Sequence, residues 1–213
     1  MNKENQKINT KKPVFNRLNH MKIVKLTGYK FYTRSIYYEH YKQILCPDMI
    51  LKQKIKNITE LPQLNKIVVT TTSKKLISDK KNIILGLAAL ELICGQKLKW
   101  TLAKKAIASF KLKKNQLIGC KATLRKNQMY FFLEKLIIIL LPRVRDYHGF
   151  FIHKIKNNQN YSIGLHNLLI SPELENHFEY FEFFNGINMN FVTSKKNKYS
   201  EILLLSGFQF PIM

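Results

Sequence analysis

The stretch GQKLKWTLAKKAIASFKLKKNQLIGCKATLR, residues 95–125, decides how this chain folds. Its two ends, Lys97–Leu102 and Gln116–Arg125, are predicted to be strands. The loop between them, Lys104–Lys114, carries five lysines and no acidic residue. A cationic loop that is held between two elements of a core is suited to lie against a polyanion.

The whole chain has the same charge bias. Its 213 residues contain 36 Lys and Arg against 13 Asp and Glu, which gives a net charge of +23. Self-repulsion of this size favours a polyanionic partner, and nucleic acid is the leading hypothesis. A basic membrane-surface protein is the alternative, but it would need a long amphipathic helix with lysines along one face. The cations lie mainly in loops and turns, and the longest apolar run, Leu136–Leu141, is far below the roughly 20 residues that span a bilayer.

The rest of the chain divides into a basic N-terminal extension over residues 1–30 and one domain over residues 31–213. The predicted helices are Tyr32–Cys46, ending near Pro47; a deeply buried helix from an N-cap at Ser78 to Gly95; a helix from an N-cap at Asn127 to Pro142; and Lys198–Leu205. The further predicted strands are Leu64–Thr72, the pair Phe150–Ile155 and Tyr161–Ile170 with a turn over Lys156–Asn160, and Ile187–Ser194. This order predicts an α+β fold, with one mainly antiparallel sheet, helices packed on one face and the other face open for RNA.

Enzymatic motifs are weak. The six histidines show no metal-ligand spacing, and the chain has neither a Gly-rich phosphate loop nor a GxSxG turn. The cysteines form no CxxC motif, which is typical of reduced structural thiols. A cluster of acids after Pro172 is interpreted as the solvated face of a short helix; its members are Glu173, Glu175, Glu179 and Glu182. A nucleic-acid-processing enzyme on a similar sheet remains the alternative function. We therefore predict no catalytic residue, no metal and no cofactor.

The basic loop is the strongest candidate binding element. Its lysines are suited to contact phosphates, and Phe110 can stack on a base or a ribose. The alternative is a solvated loop whose Ile107, Phe110 and Leu112 pack into the domain. Arginines are rare in this chain, and Arg143 and Arg145 either bind phosphate or favour the end of a helix and pair with Asp146.

Several motifs occur together in one order. They are Gly95-Gln96-Lys97, the loop KKAIASFKLK, Ile118–Arg125 (IGCKATLR), Pro142–Gly149 (PRVRDYHG), Asn160–Gly164 (NYSIG), Gly186-Ile187 and Gly207–Pro211 (GFQFP). From about Tyr32 to the C-terminus the chain resembles the bacterial-type ribosomal protein L5 family of the large ribosomal subunit.

The resemblance implies a structural protein that holds 5S rRNA in the central protuberance and touches large-subunit rRNA. It further implies a basic loop near the peptidyl-site tRNA, neighbouring large-subunit proteins, and a small-subunit head protein across an intersubunit bridge. The expected rRNA-binding residues are Thr70, Gln96, Lys97, Lys121, Thr123, Arg125, Arg143 and Arg145. The expected tRNA-proximal residues are Lys104, Lys105, Ser109, Phe110, Lys111, Lys113 and Lys114.

The chain departs from the family at the end of its first strand. Thr70-Thr71-Thr72-Ser73-Lys74 stands where the family has Asn followed by a Gly-x-Gly turn. A threonine hydroxyl still donates and accepts hydrogen bonds, but it is shorter than an amide. The excess of Lys, Asn, Ile, Phe and Tyr is typical of an AT-rich genome. Together with this divergence and the N-terminal extension, it favours the large subunit of a mitochondrial ribosome, with a plastid or an AT-rich bacterium as alternatives.

Overall fold

The computed structural model describes residues 35–72, 80–145, 147, 149, 160–167, 169–181, 186–194 and 197–212. The predicted extension over residues 1–30, the N-cap at Ser78, and the strand Phe150–Ile155 with its turn lie outside these residues. Five described strands form one sheet: β1 (Leu64–Thr72), β2 (Lys99–Leu102), β3 (Leu117–Leu124), β4 (Asn160–Leu165) and β5 (Ile187–Thr193). Their order is β2-β3-β1-β5-β4, and every neighbouring pair is antiparallel. The predicted α+β class is confirmed.

Six helical stretches accompany the sheet in the described part of the chain. Two of them contain a π-helical turn. They are α1 (Ile36–His40, the π-turn Tyr41–Leu45 and Cys46–Gln53), α2 (Lys80–Cys94), α3 (Lys126–Lys135, the π-turn Leu136–Leu140 and Leu141–Arg143), α4 (Pro172–Glu175), α5 (Phe178–Phe181) and α6 (Lys198–Gly207). Short 3-10 turns occupy Ile58–Glu60 and Ala108–Phe110.

The helices cover one face of the sheet, and the alternation of burial along the strands shows which face it is. Ile67 and Val69 of β1 are fully buried, whereas Lys66, Val68 and Thr70 between and beside them are only half-buried. Strands β5 and β4 alternate in the same way. Their buried residues are Ile187, Met189 and Phe191 on β5 and Tyr161, Ile163 and Leu165 on β4. Since side chains of a strand alternate between faces, the core lies on one side only.

The prediction that the first helix ends near Pro47 is wrong, because α1 continues to Gln53. In a regular α-helix the ring of Pro47 would meet the carbonyl of Gln43. A π-turn directly before the proline changes this spacing, and there the N–H of Cys46 donates to the carbonyl of Tyr41. The same device precedes Pro142 in α3, which ends one residue later than predicted, at Arg143.

The predicted deep burial of α2 is also only partly right. Ile83, Leu90 and Ile93 face the core, but Ile84 is 63% exposed and Leu92 is 51% exposed. The helix packs against β3 on one side. Because its sequence is apolar over most of its circumference, some apolar residues on the opposite side stay exposed.

The start of α3 and the end of β4 differ from their predicted positions because of the course of the chain. Asn127 does not cap α3, because the chain passes from β3 through Arg125 directly into a helix that begins at Lys126. The strand predicted over Tyr161–Ile170 stops at Leu165, where its partner Ile187 is the first residue of β5. The stop of α2 at Gly95 is confirmed by its left-handed backbone, with φ of +62°.

Gly119 is predicted to be sensitive to substitution for steric reasons. A Cβ added there would overlap the carbonyl oxygen of Thr71 on the neighbouring strand. We expect Gly119→Ala to lower the free energy of unfolding by about 1–3 kcal/mol, measured by urea denaturation. Gly164→Ala is the matched control, because its Cβ would meet only the side-chain oxygen of exposed Asn188. Equal stability losses in the two variants would contradict this explanation.

Glu201 is predicted to make stability depend on pH. It is 2% exposed and accepts a hydrogen bond of 2.6 Å from the hydroxyl of Thr193, and burial raises its pKa above the usual value. A raised carboxyl pKa contributes stability below the unfolded pKa, and this contribution is lost as pH rises through the folded pKa. Relative to the natural protein, Glu201→Gln should therefore become more stable as pH rises from the unfolded pKa through the folded pKa of Glu201, as measured by urea denaturation at pH values from 4 to 8. A difference in unfolding free energy that stays constant over this range would refute the prediction.

Candidate nucleic-acid interface

The uncovered side of the sheet forms a continuous polar surface, here called the open face. Its residues are Lys66, Val68 and Thr70 of β1, Lys99 of β2, Lys121 and Thr123 of β3, Ser162 and Gly164 of β4, and Asn188, Asn190 and Val192 of β5. The strand register arranges them in rows. One row runs across all five strands as Gly164, Asn188, Thr70, Lys121 and Lys99. At about 4.8 Å between strands, it extends over roughly 19 Å.

Four of the residues predicted to bind rRNA meet on or beside this face. Thr70 is the direct cross-strand neighbour of Lys121, and Thr123 is opposite Val68. Gln96 follows the left-handed Gly95, and its amide nitrogen lies 3.5 Å from the carbonyl oxygen of Thr123, to which it donates. The turn after α2 therefore brings a side chain from the helical layer to the sheet.

Lys97 and Arg125 are exposed and follow Gln96 and Leu124 directly in the chain. They extend the polar surface at the end of β3. The sequence did not single out five further residues of the open face, namely Lys66, Lys99, Ser162, Asn188 and Asn190. The alternation within each strand could have placed them on the polar side. Their neighbours became known only with the register, in which Asn188 and Asn190 flank β1 opposite Thr70 and Val68.

Charge is separated between the sheet and the helices. Of the thirteen acidic residues in the chain, four lie outside the described residues, and the other nine are all in helices or 3-10 turns. None of the five described strands contains an acidic residue, whereas Lys66, Lys99 and Lys121 lie on the open face. A surface with cations, hydroxyls and amides and without acids attracts phosphate and can hydrogen-bond to sugars and bases.

The basic loop is an ordered extension of the β2–β3 hairpin. At its base the N–H of Ala103 donates to the carbonyl of Gln116 over 2.8 Å, and Asn115 returns a bond of 3.0 Å to Ala103. Nearer the tip, Ile107 and Leu112 exchange two backbone hydrogen bonds of 3.1 Å. The backbone conformation of this loop is therefore defined by its own hydrogen bonds and does not depend on a partner.

The side chains of the loop point outward. Ser109 and all five lysines, Lys104, Lys105, Lys111, Lys113 and Lys114, are exposed. Phe110 is 70% exposed and Ile107 is 41% exposed, so the alternative in which both pack into the domain is wrong. Within the loop, Leu112 is half-buried. The tip presents an aromatic ring between cations, which is a suitable arrangement for single-stranded or looped RNA.

Arg143 and Arg145 lie apart from Gln96 and Thr123, at the end of α3 and beside β4. The guanidinium of Arg143 pairs with Glu175 over 3.1 Å and donates to the carbonyl of Ile170 over 3.4 Å. The predicted partner Asp146 lies outside the described residues. Arg145 is exposed and forms no ion pair with a described residue.

Metal binding, membrane insertion and thiol chemistry would each require particular groups among the described residues. They contain no group of three or more possible metal ligands, and none of their helices is long and apolar enough to span a bilayer. Burial raises the pKa of the Cys94 thiol to about 12 and that of Cys120 to about 11, so these thiols are poor nucleophiles. Among the clustered acids, Glu173 pairs with Lys135 and Glu175 pairs with Arg143, while Glu182 lies outside the described residues.

Comparison with known proteins identifies the relatives of this chain. Residues 57–113 match the family model described as ribosomal protein L5, and residues 117–212 match the model that describes the C-terminus of the same ribosomal family. The large ribosomal subunit protein uL5m of Reclinomonas americana is 42% identical over 82% of this chain and 96% of its own length. The uL5m protein of Prototheca wickerhamii is 41% identical over 84% of each chain. The uL5 protein of Neisseria meningitidis is 37% identical over 81% of this chain and 96% of its own.

Proposed function

The chain belongs to the ribosomal protein L5 family, and from this membership we propose that its open face binds 5S rRNA in the central protuberance of the large ribosomal subunit. The family makes it a structural constituent of the large subunit and not an enzyme. The location in the mitochondrial ribosome is supported by the two uL5m relatives.

The acid-free open face is the observation that carries the proposal. It places Thr70, Lys121 and Thr123 on adjacent strands, with Gln96 bonded to the backbone of Thr123. Hydroxyls and amides on a rigid sheet can recognise the shape and the 2′-hydroxyls of RNA, while the lysines neutralise phosphates and release counterions. Lys97 and Arg125 extend this contact, and large-subunit rRNA is proposed to reach Arg143 and Arg145 beside β4.

A second surface is proposed to face the peptidyl-site tRNA. The basic loop projects beyond the sheet, and its lysines lie clear of the open face because the loop begins where β2 ends, at Leu102. Protein partners, including the proposed small-subunit head protein, fit the helical side better. The described acids and the exposed Phe178 and Tyr180 lie there.

A charge reversal at the centre of the open face tests 5S binding. We expect Lys121→Glu to weaken the binding of a 5S rRNA transcript at least about tenfold and to reduce the salt slope by about one unit, because one phosphate contact is lost. Filter binding at several salt concentrations measures both effects. Lys56→Glu is the control, since it makes the same charge change at an exposed position after α1. Identical affinities for the two variants would exclude the open face as the binding surface.

The division between the two surfaces can be tested directly. Lys104→Glu, Lys105→Glu and Lys111→Glu together should disturb tRNA placement in the peptidyl site more than 5S binding, because they change the loop and not the sheet. Gln96→Ala and Thr123→Ala should do the reverse. Filter binding of 5S rRNA and tRNA occupancy of ribosomes that carry each variant provide the two measurements. The proposed division is wrong if both sets of changes weaken 5S affinity equally.

A further inference from the structure

A cavity of about 540 Å³ lies beside β4, the outermost described strand on that side of the sheet. All residues of β4 from Tyr161 to Leu165 line it. Since successive side chains point to opposite faces, a cavity in contact with five consecutive residues runs along the edge of the strand and not over one face. The described part of the wall also contains polar and aromatic groups from the segment after α3 and from the end of β4, among them Arg143, Arg145, Tyr147, His166 and Asn167.

The cavity is continuous with the open face. Ser162 and Gly164 belong to both surfaces, since their side of β4 continues the rows of the open face and both residues also line the cavity. Both are exposed. An RNA strand that crosses the open face towards β4 therefore arrives at the mouth of the cavity.

We propose that this cavity accepts one unstacked nucleotide of the ribosomal RNA that lies on the open face. The proposal rests on the proposed function and adds to it a site that recognises a single extruded base. The volume is within the range of small-molecule sites, and it is too small for a base-paired helix. Unpaired bases are commonly held against aromatic rings or guanidinium planes and hydrogen-bonded at their edges, and the wall offers both kinds of group.

The charged and polar side chains of the wall indicate which residues contact the phosphate and which contact the base. Arg143 pairs with Glu175 and donates to the carbonyl of Ile170, and its guanidinium forms part of the wall. Arg145 and His166 are exposed at the cavity, and a guanidinium and an imidazole N–H are groups suited to contact the phosphate. None of the described lining residues is acidic. Ser162 and Asn167 provide donors and acceptors for the base.

Ultraviolet cross-linking of the full chain to rRNA in purified large subunits, followed by mass spectrometry, tests the proposal. We expect a single-nucleotide adduct on Tyr147 or within residues 160–167. Arg145→Leu and His166→Leu should each reduce this adduct roughly fivefold to tenfold, because each removes a phosphate contact. Lys56→Leu is the matched control for Arg145→Leu, since it removes one positive charge at an exposed position outside both proposed RNA surfaces, and it should leave the adduct unchanged.

Two results would overturn the proposal while leaving the proposed function intact. One is cross-linking confined to residues 117–124 and 187–193 of the open face. The other comes from titrating the full chain with uridine and adenosine 5′-monophosphates and with inorganic phosphate, observed by amide NMR. If phosphate alone reproduced the shifts of the nucleotides at residues 161–167, the cavity would be an anion site without base recognition. A chain that binds no rRNA at all would instead refute the proposed function itself.

Discussion

The pairing of β1 with β3 on one side and β5 on the other is the constraint on which the rest of this structure depends. Because a strand repeats every two residues, a slip of one residue would turn Ile67 and Val69 towards solvent and bury Lys66 and Thr70. The register that closes the hydrophobic core is therefore also the register that composes the open face. Stability and the proposed RNA recognition are two consequences of one set of backbone hydrogen bonds.

The charged residues are also divided between the helical layer and the open face. The described acids are in the helical layer, where some of them pair with cations, as Glu173 does with Lys135. The open face contains no such pairs, because its described strands contain no acids. At physiological ionic strength a charge is screened over about 8 Å, so acids behind the sheet weaken the field in front of it only slightly. The helical acids are thus compatible with the proposed binding of a polyanion to the open face.

The sequence predicted most elements because their signals are local. β-Branched residues between Pro62 and Lys74 identified the strand of Ile67 and Val69, and a glycine stop identified the end of α2 at Gly95. Local rules failed where tertiary packing decided the outcome. Pro47 signals a helix end, yet burial of Leu45 and Met49 on either side carries α1 through it by way of a π-turn. The composition of α2 could not show which of its sides the sheet covers. The sequence named Thr70 and Lys121 as candidate residues but did not single out Asn188 and Lys99 in the same row, since register is a property of paired strands.

The two proposed RNA surfaces differ in the entropy that binding costs. On the open face the polar side chains are mostly short, such as Thr70, Thr123 and Ser162, and they stand on a rigid sheet. They lose few rotamers on binding, so contacts there are suited to fix position. The basic loop has an ordered backbone but five long lysines, each with about 2 kcal/mol of rotamer entropy to lose if it is immobilised. Lysines that stay mobile still attract phosphate, and a mobile contact suits a ligand such as tRNA that must enter and leave. The proposed surfaces therefore combine stable binding of one RNA with transient binding of another. This difference follows from the length of the side chains, since both surfaces have an ordered backbone.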